Sequence, residues 1–137
     1  MQLGSFEVRP VDYGTFALDG GAMFGIIPRP LWSRPCPPDG RNRITLGLRG
    51  LLILRGDRAI LVETGMGTKW APKGQEIYRL SLAEGAMDGA LARAGVTRET
   101  ITDVILTHLH FDHAGGAAEL VDGRHRPTFP RATYHVS

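Results

Sequence analysis

The feature that most constrains this fold is a pair of apolar runs joined by a tight turn. "LLIL" at residues 51–54 and "AILV" at residues 59–62 flank the sequence "RGDR". Gly56 and Asp57 suit a two-residue hairpin turn. Continuous apolar runs are typical of strands that are buried on both faces. The pattern therefore predicts a strand, a turn and a strand over residues 43–62, in a sheet that needs cover.

A helix is predicted after this hairpin, in "SLAEGAMDGALARAG" at residues 81–95. Ser81 and Glu84 form an S-x-x-E capping box, which is a common start of a helix. Gly95 suits the position just past the C-terminal end. The apolar residues between them recur at helical spacing and would pack one face against the sheet.

The order of elements along the chain indicates an α/β layered fold in a single domain, residues 1–137. The remaining segments predict, in order, two short strands within residues 6–18 broken near Tyr13-Gly14, a loop folded over a surface at residues 20–32, a buried strand in "ITDVILTH", a short helix in "AAELVDG" and a last strand in "ATYHVS".

Composition excludes several classes of protein. With 42% hydrophobic and 22% charged residues, the chain is expected to be globular rather than disordered. The net charge is only +2 and the basic residues are scattered, so we expect no nucleic-acid or membrane partner. Cys36 is the single cysteine, and its loop has no neighbouring ligand residue. No signal peptide and no run of about 18 apolar residues is present, so a cytoplasmic location is expected.

The densest group of titratable residues is "THLHFDHAGG" at residues 107–116. In an extended chain, residues two apart point to the same side, so His108 and His110 are placed to share one metal ion. Asp112 and His113 are adjacent and would serve a second centre. Neutral imidazole and carboxylate suit zinc, and they also suit iron or manganese. The spacing therefore predicts a metal site with two centres.

Each of these residues also has a structural explanation when taken alone. Asp112 precedes a short helix and would serve as its N-cap, and Gly115-Gly116 would form a turn. Packing does not explain three histidines at the end of an apolar strand, and the glycines would let the backbone pass close to bound ions. The metal site is therefore the preferred interpretation of the group.

Other candidates are weaker. His125 lies in "DGRHRP", which has the composition of a solvated loop, and His135 lies on the last strand. Glu63 ends the strand "ILVETG", where it is either a surface carboxylate or a hydrogen-bond partner of a metal ligand.

The motif "HLHFDH", preceded by Thr107 and followed by "AGG", resembles the signature of the metallo-β-lactamase superfamily. "GGAMFGIIPRPLW" and "NRITLGLRGLLILRGDRAILVETGMG" are similar to the branch that contains quorum-quenching lactonases and parathion-hydrolase-like enzymes. The resemblance implies an αββα sandwich. It also implies that His108 and His110 bind the first metal ion, and that Asp112 and His113 bind the second.

Two features depart from that family's pattern. Glu63 stands where the family usually has Asp, and its longer side chain would shift a hydrogen bond to a ligand. The family's later His, bridging Asp and final His would lie beyond Ser137. The resemblance therefore covers the N-terminal half of such an enzyme, and the chain is expected to be a fragment or a truncated product.

The function expected from the resemblance is metal-dependent hydrolysis of small ester or lactone substrates at a site with two zinc ions. Asp112 would also orient the attacking water and act as the catalytic residue. The alternatives are a phosphotriester or thioester hydrolase on the same site, or an inactive half-domain. Uncovered strands would favour self-association, or pairing with the missing C-terminal half.

Overall fold

The computed structural model describes residues 1–136. The strands are β1 (Gln2–Leu3), β2 (Phe6–Asp19), β3 (Arg43–Arg55), β4 (Arg58–Val62), β5 (Ser81–Leu82), β6 (Asp103–Leu106), β7 (Ala118–Val121), β8 (Arg124–Pro127) and β9 (Thr133–Val136). The α-helices are α1 (Gly20–Phe24), α2 (Arg29–Trp32), α3 (Pro72–Ile77), α4 (Ala86–Arg93) and α5 (Phe111–Ala114), and single 3₁₀ turns occupy Arg98–Thr100 and Gly115–Ala117.

Within residues 1–136, seven of the strands form one mixed sheet in the order β1-β2-β3-β4-β6-β9, and β5 pairs with the far part of β2. The pairs from β1 to β4 are antiparallel. Strands β4, β6 and β9 run parallel to one another. The carboxyl ends of these three strands therefore meet at one edge of the sheet, and the histidine motif follows β6 directly.

The hairpin β3–β4 forms as the sequence predicts. Arg55 pairs with Arg58, so Gly56 and Asp57 are the two-residue loop. Gly56 has φ of 57°, a left-handed conformation that glycine adopts without a steric penalty. This turn sets the register in which Leu52 lies opposite Leu61.

One face of the sheet is covered by helix α4. Leu52, Leu61 and Val104 lie side by side across β3, β4 and β6, and each is fully buried. Met87 and Leu91 of α4 belong to the same apolar cluster. This layer is the core that supports the carboxyl edge of the parallel strands.

The opposite face is open, which corrects the prediction that the apolar runs are buried on both faces. Leu51, Val62 and Ile105 form the next row across the same strands. Leu51 and Ile105 are 38% and 37% exposed. Side chains alternate between faces along a strand, so the described residues bury only every second position of these runs.

The sequence predicts two short strands within residues 6–18, but the structure has one continuous strand, β2. The register shifts between Asp12 and Gly14, which is a β-bulge that bends the strand. Gly14 has φ of 121°, and a Cβ there would lie 2.1 Å from the carbonyl oxygen of Ser81. The predicted break near Tyr13-Gly14 is therefore a bulge at which β5 approaches the strand.

The predicted helix over residues 81–95 begins later than its sequence pattern indicates. Ser81–Leu82 is strand β5, which pairs with Gly14–Thr15, so Ser81 does not cap a helix. Helix α4 begins at Ala86, with Gly85 as its N-cap residue. Gly95 follows the helix with φ of 82°, as predicted for that position.

Two further segments differ from prediction. Residues 20–32 contain α1 and α2 rather than a loop alone. Asp19 caps α1 by accepting a hydrogen bond from the Ala22 amide, and the Phe24 ring stacks on Trp32. "AAELVDG" is strand β7 rather than a helix, because its residues pair with β8 in a separate hairpin. No helix among residues 1–136 has the length and apolar character to cross a membrane.

Candidate functional site

The histidine motif lies at the carboxyl edge of the parallel strands. Strand β6 ends at Leu106 and β4 ends at Val62. The ladder continues one step further, because the Glu63 amide donates to the carbonyl oxygen of Ile105. Parallel strands bring their carboxyl ends together, so Glu63 and Thr107 meet although 44 positions separate them along the chain.

Three imidazole rings cluster just beyond this edge. The His108 ring centroid lies 4.7 Å from that of His110 and 4.0 Å from that of His113. His110 has extended backbone angles and is the N-cap residue of α5, in whose first turn Asp112 and His113 stand. The change from strand to helix turns His113 back toward His108. The structure therefore brings together all four residues that the sequence marks as metal ligands.

Asp112 lies beside His113 in this cluster. Its Oδ2 is 3.4 Å from His113 Nε2, and its side chain is about one-quarter exposed. The alternative in which Asp112 caps the helix is not what the structure shows, because the N-cap residue is His110. The Asp112 carboxylate therefore lies beside Nε2 of His113, the ring nitrogen that does not contact Glu63.

The Glu63 side chain contacts two residues of the histidine motif. Its Oε1 accepts a hydrogen bond from the Thr107 amide at 2.8 Å, and its Oε2 lies 2.8 Å from His113 Nδ1. Burial opposes ionisation of this carboxyl, but its hydrogen bonds to Thr107 and its contact with His113 outweigh that effect and lower its pKa. Glu63 is thus a nearly buried carboxylate that contacts the motif directly.

The backbone at Glu63 is strained, since its φ is 63°. A non-glycine residue in this region costs about 1–2 kcal/mol. Tyr13 supports the turn from the β2 side, where its hydroxyl donates to the Glu63 carbonyl oxygen at 3.0 Å. Burial, and then the nearby Glu63 charge, raise the pKa of Tyr13 well above its ordinary value. Tyr13 is therefore a neutral donor that helps to hold the turn in its strained conformation.

The glycines after the motif allow the two loops of the site to touch. A Cβ at Gly115 would lie 2.5 Å from the Met66 carbonyl oxygen, and a Cβ at Gly116 would lie 2.1 Å from that of Thr64. The Thr64 amide donates to the His113 carbonyl oxygen at 2.8 Å. Because Gly115 and Gly116 have no side chain, the backbone of the motif can lie directly against the residues that follow β4.

Two aromatic side chains that the sequence did not reveal pack against Phe111 of the motif. The Phe111 ring centroid lies 4.8 Å from Tyr78 and 5.6 Å from Trp70. A cavity of about 310 Å³ opens beside it, lined by Met66, Lys69, Trp70, Phe111 and Gly115. Trp70 lies in the glycine-rich loop after β4. An aromatic residue in such a loop was the only sequence feature that could have indicated this cavity.

Lys69 ties this loop to the motif. Its ammonium donates to the carbonyl oxygens of Gly115 and Ala118. Burial lowers the pKa of this ammonium group. The cavity wall and the segment after Asp112-His113 are therefore held together by one side chain.

The remaining histidines lie elsewhere. His125 is on strand β8 rather than in a loop, and it is exposed. His135 is on β9, and its Nε2 lies 3.1 Å from Asp103 Oδ1, at the start of β6 and away from the motif. Cys36 is a half-buried free thiol between α2 and β3.

The donor set has the chemistry of a zinc-type site, with three imidazoles and a carboxylate at one edge. No group of three or more His, Cys, Asp or Glu side chains within residues 1–136 is arranged to enclose an ion. The geometry instead pairs donors. His113 Nε2 and Asp112 share one space, and the His108 and His110 rings are in contact beside it. Three imidazoles and one carboxylate, the donor types that zinc prefers, therefore lie at this edge as two neighbouring pairs.

The chain resembles several solved structures. A probable metal-dependent hydrolase from Staphylococcus aureus is 29% identical with a TM-score of 0.85, and the match covers 98% of this chain and 47% of that one. A quorum-quenching N-acyl homoserine lactone lactonase is 25% identical with a TM-score of 0.60, covering 85% of this chain and 42% of that one.

A third structure supports the fold alone. The dizinc quorum-quenching lactonase AidC is 23% identical with a TM-score of 0.68, and the match covers 98% of this chain and 42% of that one. The chain thus spans less than half the length of these three proteins. No curated protein matches the chain significantly.

The α/β fold expected from the resemblance, one half of an αββα sandwich, is confirmed by these superpositions. The family model described as "Metallo-beta-lactamase superfamily" matches residues 50–136, which include β4, β6 and the histidine motif. Since that match covers more than half of its residues, the chain belongs to the metallo-beta-lactamase superfamily.

Proposed function

We propose that this chain carries the site of a metal-dependent hydrolase that acts on small esters of the lactone type. The observation that supports this most strongly is the cluster of His108, His110 and His113 beside the Asp112 carboxylate. Membership of the superfamily, and the 25% identity to an N-acyl homoserine lactone lactonase, favour the same chemistry.

In this proposal the four residues hold two metal ions. His108 and His110 are ligands of the first centre, and Asp112 and His113 are ligands of the second. Zinc suits the imidazole-rich set, and iron or manganese also fit it. Ions of this kind polarise an ester carbonyl and lower the pKa of water to about 7, so that hydrolysis needs no separate strong base.

The residues of the chain would position the reacting groups. The Asp112 carboxylate would accept a hydrogen bond from the attacking water and so orient it, as expected of a catalytic residue. The cavity beside Phe111 and Trp70 is largely apolar and would exclude water from the bound ester. The partner is therefore a small molecule that presents an ester group to the cluster.

The experiment compares Asp112→Ala with His125→Ala. Metal content is measured after loading with zinc, iron or manganese. Hydrolysis is measured for an N-acyl homoserine lactone, a phosphotriester and a thioester. Asp112→Ala should lose metal and lower turnover by orders of magnitude, because it removes both a ligand and a group that orients water. His125→Ala should match the wild type, since His125 is exposed on β8.

The substrate panel separates the alternatives. Faster hydrolysis of the phosphotriester or the thioester would reassign the substrate class and keep the metal site. A wild-type chain that binds divalent ions but hydrolyses none of the three substrates would support the inactive half-domain. Full turnover and metal content in Asp112→Ala would contradict the assignment of Asp112.

A further inference from the structure

The helical segment that carries Asp112 and His113 is short, and its carboxyl end takes hydrogen-bond donors from other parts of the chain. Helix α5 continues directly into the 3₁₀ turn Gly115–Ala117, which leads into β7. The last carbonyl groups of a helix have no amide partner further along the helix, so their donors must come from elsewhere. These donors determine how firmly the segment is held.

The uncharged donors come from two sides of the segment. The Thr64 amide donates to the His113 carbonyl oxygen at 2.8 Å. The Thr128 amide and the Tyr134 hydroxyl both donate to the Ala117 carbonyl oxygen at 3.0 Å. The carbonyl oxygens on either side of Gly115 are therefore bonded to fixed parts of the fold.

Lys69 supplies a charged donor between them. Its ammonium donates to the carbonyl oxygen of Gly115, and to that of Ala118 at 2.9 Å. A cation at the carboxyl end of a helix is attracted by the partial negative charge of the last carbonyl oxygens. Although Lys69 is exposed, its side chain bonds two backbone oxygens of one segment. Lys69 therefore caps the helical segment from a loop that is distant in sequence.

The loop that carries Lys69 also contacts the other end of the segment. The Trp70 ring centroid lies 5.6 Å from that of Phe111, the first residue of α5. Between these two contacts the backbones touch, because a Cβ at Gly67 would lie 2.8 Å from the Gly115 carbonyl oxygen. The loop and the helical segment are thus packed together along their whole length.

We infer that Lys69 is a positioning residue, which caps the carboxyl end of the segment and thereby fixes Asp112 and His113 relative to the loop. The inference rests on the proposed function for its purpose, because a fixed segment matters to the chemistry only if those two residues hold a metal ion. Its physical content is that the charge and reach of one exposed side chain hold this helical turn, and that is measurable in the metal-free chain.

The first experiment compares Lys69→Met, which removes the charge and the donors, with Lys69→Arg, which keeps both. Amide hydrogen exchange of the metal-free protein is followed by NMR. The Gly115 and Gly116 amides should exchange about tenfold faster in Lys69→Met, because the turn opens more easily without its cap, and near the wild-type rate in Lys69→Arg. Lys73→Met, at an exposed position on α3, is the matched control and should exchange as the wild type does.

The second experiment measures zinc affinity by competition with a chromophoric chelator. Affinity should fall by about tenfold in Lys69→Met, as when a group that orients a metal ligand is removed, and return toward the wild-type value in Lys69→Arg. Leu91→Ala is the control for a general loss of stability, because Leu91 is fully buried in the core. While folded, it should bind zinc as the wild type does. If Lys69→Met does not fold, Lys69→Ala takes its place.

The outcomes separate the inference from the proposed function. Equal exchange of Gly115 and Gly116 in the wild type and Lys69→Met would overturn the inference, and so would a Lys69→Arg variant that behaves like Lys69→Met. A loss of zinc affinity in Leu91→Ala as large as that in Lys69→Met would also overturn it, because the effect would then be one of general stability. Absence of zinc binding by the wild type would overturn the proposed function instead, and the exchange rates would still decide the inference.

Discussion

Gly116→Ala should destabilise the chain more than a glycine-to-alanine substitution at an exposed position. A Cβ at Gly116 would lie 2.1 Å from the Thr64 carbonyl oxygen and 3.0 Å from Met87 Cε. The first of these atoms belongs to the backbone, so it cannot rotate away as a flexible side chain would. Two backbone hydrogen bonds hold the same segments together. The Gly116 amide donates to the Gly65 carbonyl oxygen, and the Thr64 amide donates to the His113 carbonyl oxygen.

The magnitude follows from overpacking. Extra methyl groups in packed regions cost typically 1–3 kcal/mol, and the backbone contact places this case near about 3 kcal/mol. A domain of this length loses roughly 3–5 °C of Tm per kcal/mol, so we expect a fall of about 10 °C. Because Thr64 would move away from the motif, His113 should also lose its alignment with Glu63 and metal affinity should fall.

The assay is thermal and urea unfolding followed by circular dichroism, with zinc affinity measured on each folded variant. Gly40→Ala is the control, because nothing lies within 4 Å of a Cβ at Gly40. It should stay within about 0.5 kcal/mol of the wild type. If Gly116→Ala and Gly40→Ala unfold at the same temperature, the close approach of these loops is not a constraint and the argument is refuted.

Two further predictions test the core and the surface. Leu91→Ala should cost about 2–5 kcal/mol in urea unfolding, because Leu91 is fully buried in α4, whereas Leu109→Ala, at a position 67% exposed, should cost little; equal costs would contradict the assignment of the covered face. A hydrogen bond from Arg43 is the largest cause that lowers the pKa of Asp39 from 3.8 to about 2. Asp39 therefore contributes stability above about pH 4, and this contribution is lost as the pH falls toward 2. The Tm of Asp39→Asn should lie below the wild-type value at neutral pH and converge with it near pH 2, and a constant difference at all pH values would count against this ion pair.

Local sequence determined the elements whose signals lie within a few residues. The hairpin β3–β4 was predictable because apolar runs flank a glycine that tolerates a left-handed conformation. The motif was predictable as a site because three imidazoles and a carboxylate within six positions have no packing explanation. Its resemblance to the metallo-β-lactamase signature then indicated the fold, which the superpositions confirm.

Helix and strand signals failed where pairing with another strand decided the conformation. Ser81 and Glu84 match a capping box, but Ser81–Leu82 gains backbone hydrogen bonds from the bulged strand β2 instead. "AAELVDG" is too short for its apolar spacing to distinguish helix from strand, and its pairing with β8 decides the outcome. In each case the competing partner is distant in sequence or invisible to a local pattern.

Only the tertiary structure decided how the motif is held. Glu63 stands 44 positions before Thr107 and 50 before His113, and the sequence left open whether it is a surface carboxylate or a hydrogen-bond partner of a metal ligand. The parallel pairing of β4 with β6 places that strand end under the motif. The orientation of the histidines depends on hydrogen bonds whose partners become neighbours only when the sheet has formed. A residue pattern specifies which chemical groups are present, whereas the distances between them and the orientation of the rings are set by the packing of strands that the pattern does not describe.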